Sequence, residues 1–159
     1  MEAAGDGGLS HVDEHGRASM VNVIAKAPTH RVARAACRVR VSKTGRDLLG
    51  DPLAGPDILS AARAAGLVVG KRAAGLIPLC HPIRIDSIAV EVALRGSVVS
   101  IQATAETVER TGVEMEALTA CAGAALTIVG AVLAADPGVR VDDLQLLHKS
   151  GGRSGTWDR

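Results

Sequence analysis

An antiparallel sheet with helices packed on one face, an α+β fold, is what the order of hydrophobic periodicities predicts. Three observations carry that prediction. Period-two alternation marks four stretches, at residues 32–41, 88–94, 99–105 and 139–147. Helical spacing marks two longer stretches between them, opening near Asp57 and Val113. Only Arg95, Gly96 and Ser97 separate the second and third strands, so those two form a hairpin. The resulting order, β-α-β-β-α-β with a short extra helix after the first strand, is the split-βαβ, ferredoxin-like arrangement.

Taken in order, residues 1–8 are acidic and Gly-rich and predict a disordered lead, and residues 9–159 make one domain, long enough for a core without disulfides. In the first strand Cys37, Val39 and Val41 share one face while Arg34, Arg38 and Arg40 share the other. Those arginines either meet phosphates or form a solvated face. Thr44–Leu49 suits a short helix, and a Gly/Pro loop runs on to Pro56. Asp57 is the expected N-cap of the next helix, whose positions Ile58, Ala61, Ala62, Ala65, Val68 and Val69 make one core-facing stripe ending at Lys71-Arg72. The longest helix spans about Val113 to Ala135 and stops at Asp136-Pro137-Gly138. Its middle, Ala120 to Ala125, is slim enough for close approach by a sheet or another subunit. The last strand is Val139–Leu147, followed by a closing loop from His148 to Gly155.

Composition excludes several functions. Phe and Tyr are absent and Trp157 is the sole aromatic residue, so there is no platform for stacking single-stranded bases. A formal net charge of +1 exerts no global pull on nucleic acid or membrane, so any anion site must be built locally. The three cysteines, Cys37, Cys80 and Cys121, are widely spaced with no C-x-x-C pair, which suits a reducing compartment better than a disulfide framework or a zinc site. The opening residues lack the apolar run of a signal peptide, and no stretch is expected to span a membrane. A cytoplasmic protein is the expectation.

Three places could carry chemistry. In Leu76-Ile77-Pro78-Leu79-Cys80-His81-Pro82 two prolines stiffen the chain around a thiol and an imidazole. The bland alternative is a connector with Cys80 as a small buried apolar group. The long helix opens with Glu114 and Glu116, whose charge complements the helix dipole. These two carboxylates point to nearly opposite sides, because successive residues advance about 100°. On the Glu116 side follow Thr119, Gly123, Thr127 and Gly130, which make either a tight helix contact or the wall of a polar site. Finally, Lys149 and Arg153 flank Ser150-Gly151-Gly152, a basic loop whose glycines free backbone N–H groups to face an anion. It lacks the order of a Walker A loop, and as a lone feature it could equally be a mobile tail. His11 and His15 sit at helical spacing beside Gly16, where loop histidines are the plainer reading than a metal pair.

Three segments, in one consistent order, resemble the molybdenum-cofactor biosynthesis protein C family (MoaC): Lys71-Arg72 with Leu76–Pro82, Thr111–Ala120, and Lys149–Gly155. Ser10-His11, Met20-Val21 and Ala25-Lys26 match the family's opening less tightly, and the likeness covers about residues 9–157. The resemblance implies a lyase, cyclic pyranopterin monophosphate synthase. That activity converts 3′,8-cyclised dihydro-GTP to cyclic pyranopterin monophosphate with release of pyrophosphate. It also implies a ferredoxin-like fold and a homo-oligomer, a hexamer built as a trimer of dimers, with sites at subunit interfaces. Neither a cofactor nor a metal is implied, and the partner is a nucleotide-derived small molecule rather than nucleic acid or membrane. Residues matching substrate-binding positions are Leu79, Cys80, His81, Met115, Glu116, Lys26 and Arg153. Lys149, His81 and Lys71 are the implied catalytic residues.

The chain departs from the family pattern at five places. Asn22 and Gly130 stand where the family has aspartate, and Gly55 and Leu133 stand where it has lysine; Pro56 also replaces a glycine. The binding half of the site is therefore expected to be present and part of its acid–base half missing. Two further readings follow: a divergent paralogue that binds a purine nucleotide for different chemistry, or a non-catalytic partner subunit.

Overall fold

The computed structural model describes residues 11–159, so the expected lead of residues 1–8 lies outside the described residues. The elements are β1 (Thr29–Arg40), α1 (Lys43–Leu49), α2 (Gly55–Gly70), α3 (Ala73–Leu76), β2 (Ser87–Arg95), β3 (Val98–Glu109), α4 (Glu114–Val132), β4 (Arg140–Ser150) and β5 (Trp157–Asp158). All pairings are antiparallel, in the order β2-β3-β1-β4-β5. The first four strands reproduce the ferredoxin-like order, with α2 and α4 packed on one face.

The parity read from β1 holds. Ala33, Ala35, Cys37 and Val39 are buried toward the helices, as are Val99, Ile101, Ala103 and Ala105 of β3 beside them. Above them lie Ala117, Ala120, Cys121, Ala124 and Ala125 of α4, so small side chains on both layers bring helix and sheet close. Cys37 donates its thiol proton to the Cys121 carbonyl across that contact (3.6 Å). Of the β1 arginines, Arg38 pairs with Asp143 at 2.9 Å and Arg40 with Asp142 on the outer face, which is the solvated alternative. Such exposed pairs contribute about 0–1 kcal/mol each.

Several boundaries differ from expectation. Asp57 is not the N-cap of α2: the helix begins at Gly55, with Pro56 in the first turn and Ala54 capping without a side chain. Proline is pre-shaped for that first turn, and Asp57 there complements the dipole. The turn before it is held instead by Asp51, whose carboxylate accepts from the Leu53 and Ala54 N–H groups at 2.9 Å. Ala61 and Val68 are exposed; the buried line of α2 is Ala62, Gly66 and Gly70. With only Asp57, Ser60 and Arg63 polar among its sixteen residues, the helix carries too little polarity for spacing to choose its inner face. The closing loop is shorter than expected, because β4 runs through His148, Lys149 and Ser150, which pair with Arg34, Ala33 and Val32 of β1.

Length and composition alone would let α4 cross a membrane, contrary to the expectation for this sequence. Packed on the sheet and flanked by α2, with more than half of its length buried, it is a core helix. The His11–His15 segment is a turn closed by a bridge between Val12 and Ala18, with Asp13 accepting from the His15 and Arg17 N–H groups at 2.9 Å.

Candidate active site

Helices α2 and α4 run antiparallel. Gly66 lies against Ala120 and Ala124, and Gly70 against Ala120 and the backbone of Glu116. The C-terminal end of α2 therefore delivers α3 and the Cys-His turn to the head of α4. The Cys80 N–H donates to the Ile77 carbonyl (3.0 Å), closing a turn on Pro78 and Leu79. Proline fixes the first central position of that turn, and the chain then runs without helix or strand to β2.

Cys80 meets Glu116 there: its thiol donates to Oε1 at 3.5 Å. Glu116 is 3% exposed, and its Oε2 is buried without a hydrogen-bond partner. Burial raises the Glu116 carboxyl above its ordinary range, and the Glu114 charge adds to the effect. Burial also pushes the Cys80 thiol up to about 11, helped by the neighbouring carboxylates. The Glu116 carboxylate thus favours retention of the Cys80 proton, whereas the thiol's hydrogen bond lowers the Glu116 pKa and is outweighed there by burial. Cys80 is a proton donor and packing group here, not a nucleophile, since the thiolate is the reactive form. Alkylation of Cys80 by iodoacetamide is accordingly expected to be slow at neutral pH and to climb toward pH 11. Glu116→Gln should move the profile to lower pH; a wild-type plateau by pH 9 would contradict the assignment.

His81 donates Nε2–H to the Val21 carbonyl at 2.8 Å. A neutral ring so bound keeps its lone pair on Nδ1, free to accept a proton. The same bond fastens the Met20–Asn22 segment to the Cys-His turn. Asn22 lies in that segment and accepts from the Ile24 N–H at 3.0 Å. An aspartate in the same place would make this turn equally well, so this substitution is structurally quiet.

The basic tail reaches the same helix end. Lys149 Nζ lies 3.6 Å from Glu114 Oε1. Gly151 and Gly152 have φ of 96° and 71°, and any side chain there would strike the His30 carbonyl or the Arg31 guanidinium. Arg31 donates to the carbonyls of Gly151 (3.3 Å) and Arg110 (3.4 Å), tying the tail to the loop before α4. Sequence reasoning passed over Arg31 because the alternation that marks the first strand starts only at Val32, although β1 itself begins at Thr29. Glu114 read only as a dipole partner, and its bond to Lys149 joins segments distant in the chain.

The structure thus gathers Cys80, Glu116, Glu114 and Lys149, with His81 beside Cys80 and Met115 beside Glu116. Leu79 is half-buried in the same turn. Lys71 and Arg153 are exposed and Lys26 is half-buried; among the described residues none has a side-chain hydrogen bond or ion pair to this cluster. Thr119 donates to the Met115 carbonyl, and Gly123 packs against Val69, so the small-residue stripe is site wall at its head and helix contact further on.

Gly130 and Leu133 lie elsewhere. Fourteen residues beyond Glu116 at 1.5 Å each, Gly130 is about 21 Å along the helix. A Cβ on Gly130 would meet nothing within 4 Å, and Leu133 is 48% exposed. The antiparallel pairing puts Gly55 at this same far end, buried beneath the Leu49 carbonyl. The intact half and the altered half of the expected site occupy opposite ends of one helix pair.

Residues 20–152 match the MoaC family. The chain belongs to that family. Similar MoaC relatives named cyclic pyranopterin monophosphate synthase include one from Thermomicrobium roseum, 48% identical over 154 residues, spanning 95% of this chain and 93% of the relative. One from Streptomyces avermitilis is 45% identical over 152 residues, covering 95% and 89%. A relative named cyclic pyranopterin monophosphate synthase 2, from Mycobacterium bovis, is 46% identical over 154 residues, covering 96% and 92%. This MoaC chain therefore aligns with its relatives nearly end to end, with no large domain gained or lost in the aligned part.

Proposed function

We propose that this MoaC chain is a lyase of molybdenum cofactor biosynthesis, a cyclic pyranopterin monophosphate synthase. Its substrate would be 3′,8-cyclised dihydro-GTP, and pyrophosphate would be released. The observation that carries the reading is the meeting of Cys80 with Glu116 and of Lys149 with Glu114 at one helix end. Ring opening and reclosure need positioned acids and bases. Glu116, a buried carboxyl whose pKa burial raises, supplies the acid, and His81 Nδ1 supplies an acceptor. Lys149 serves as the cation and proton carrier beside them, with Lys71 as a second. Leu79, Cys80 and Met115 form the surface against the ring system, and Lys26 and Arg153 bind the triphosphate.

One chain leaves this site short of free cations, since Lys149 is already paired. A homo-oligomer, a hexamer made as a trimer of dimers, brings further cations to each site. A cytoplasmic location accords with three free cysteines. Incubating the purified protein with the cyclised dihydro-GTP should yield the pterin and pyrophosphate in equal amounts. Absence of both products would overturn the assignment.

A second reading, a divergent paralogue that holds a purine nucleotide without this turnover, is favoured by one observation. Gly55 is closed over by the Leu49 carbonyl, so the chain is built around the loss of a side chain there. Stoichiometric binding of a purine triphosphate, seen calorimetrically without pterin formation, would select it; the partner-subunit alternative requires co-purification with an active paralogue.

A further inference from the structure

Trp157, Asp158 and Arg159 take no part in the chemistry described above, yet they are fastened to the strand that carries Lys149. β5 pairs only two residues with β4, Asp158 opposite His148 and Trp157 opposite Lys149. So short a strand at a sheet edge is not held by its ladder alone. Side chains supply the rest. His148 donates Nδ1–H to Asp158 Oδ1 at 2.8 Å, and Arg159 donates Nε–H to the Leu146 carbonyl at 2.8 Å. The Arg159 guanidinium also lies over the Trp157 ring, 5.6 Å from its centre, which is within cation–π range. Its backbone N–H donates to the Leu147 carbonyl at 3.0 Å.

These contacts enclose the basic loop. Arg31 pins the start of that loop through the Gly151 carbonyl at 3.3 Å, and the next fixed point is Trp157. Between them the Gly155 N–H donates to the Gly152 carbonyl at 3.4 Å, making a turn with Arg153 and Ser154 at its corners. Arg153 is exposed, so its place is set by how the two ends of the loop are held. Lys149 differs. It pairs with Ala33 of β1 on its other side and reaches Glu114, so it keeps its position without β5.

We propose that Trp157, Asp158 and Arg159 are positioning residues, a clasp that closes the basic loop and holds Arg153 in place for the phosphates of a nucleotide. This rests on the reading above that Arg153 binds the triphosphate, and it adds the groups that set its position. A cation already held gives up less freedom on binding, so the clasp acts on substrate affinity more than on the chemical step.

Asp158→Ala and deletion of residues 157–159 test it, beside Asp158→Asn, whose amide oxygen still accepts from His148. Trypsin cuts between Arg153 and Ser154 when the loop opens. Asp158→Ala and the deletion should therefore be cut there about tenfold faster than wild type, and Asp158→Asn at the wild-type rate, as read by mass spectrometry. With the cyclised dihydro-GTP, the first two should raise KM about tenfold at unchanged kcat. Calorimetric binding of GTP should weaken by the same factor. In an Arg153→Ala background the deletion should add nothing, because it acts through that side chain. Unchanged cleavage, unchanged GTP affinity, or a loss confined to kcat would overturn the proposal. So would a deletion that weakens binding equally without Arg153. Should the wild type make no pterin, the synthase assignment fails alone, since cleavage and GTP affinity decide the clasp without turnover.

Discussion

Glu116→Gln is expected to lower turnover by about 10²–10⁴-fold, the usual contribution of a positioned acid, while making the folded protein more resistant to heat at neutral pH. The two effects have one cause. The carboxyl is buried with one oxygen unpartnered, and burial raises its folded-state pKa above the ordinary 4.5. A group with a raised folded pKa stabilises fully below its unfolded value. That contribution is lost as pH climbs from about 4.5 through the raised value. Glutamine cannot ionise, so the variant escapes the loss and should gain on the wild type across that window. Thermal unfolding from pH 4 to 7, run beside turnover measurements, checks both halves. A variant less stable than wild type at pH 7, or one fully active, would remove Glu116 from the role of acid.

The second large effect concerns rearming the far end of the helix pair. Gly55→Lys should cost about 2–4 kcal/mol, because its Cβ alone collides with backbone that cannot rotate away. Gly55→Ala carries the same collision and should account for most of that cost. Gly130→Asp meets nothing in its own chain and should change stability by about 0.5 kcal/mol or less at protein concentrations low enough to keep the chain monomeric. Chemical denaturation of the three variants measures this directly. If Gly55→Ala unfolds at the wild-type midpoint, the position is merely vacant and a single change could restore its lysine. If it is destabilised as expected, return to the full family set needs α1 to move as well.

Much of this was visible in the residues because backbone periodicity records burial. The alternation in β1 and β3 and the hairpin at Gly96-Ser97 each depend on neighbours in the chain, and each appears in place. Failures came where local signals were weak. In α2 small apolar residues cover most of the circumference, so only contact with α4 shows that Gly66 and Gly70 face inward. The end of β4 read as loop because Lys149-Ser150-Gly151-Gly152 has turn composition; pairing with β1 outweighed that preference.

By itself the sequence determined the strand order, the family and the residue types that could do acid–base work, since these follow from pattern and wording along one chain. Only the tertiary structure decided that Cys80 touches Glu116 and Lys149 touches Glu114, while Gly55, Gly130 and Leu133 stand at the other end of the helices. Contacts between residues dozens of positions apart depend on how two helices pair and cross a sheet. Side-chain packing sets that pairing, and a linear pattern does not encode its direction.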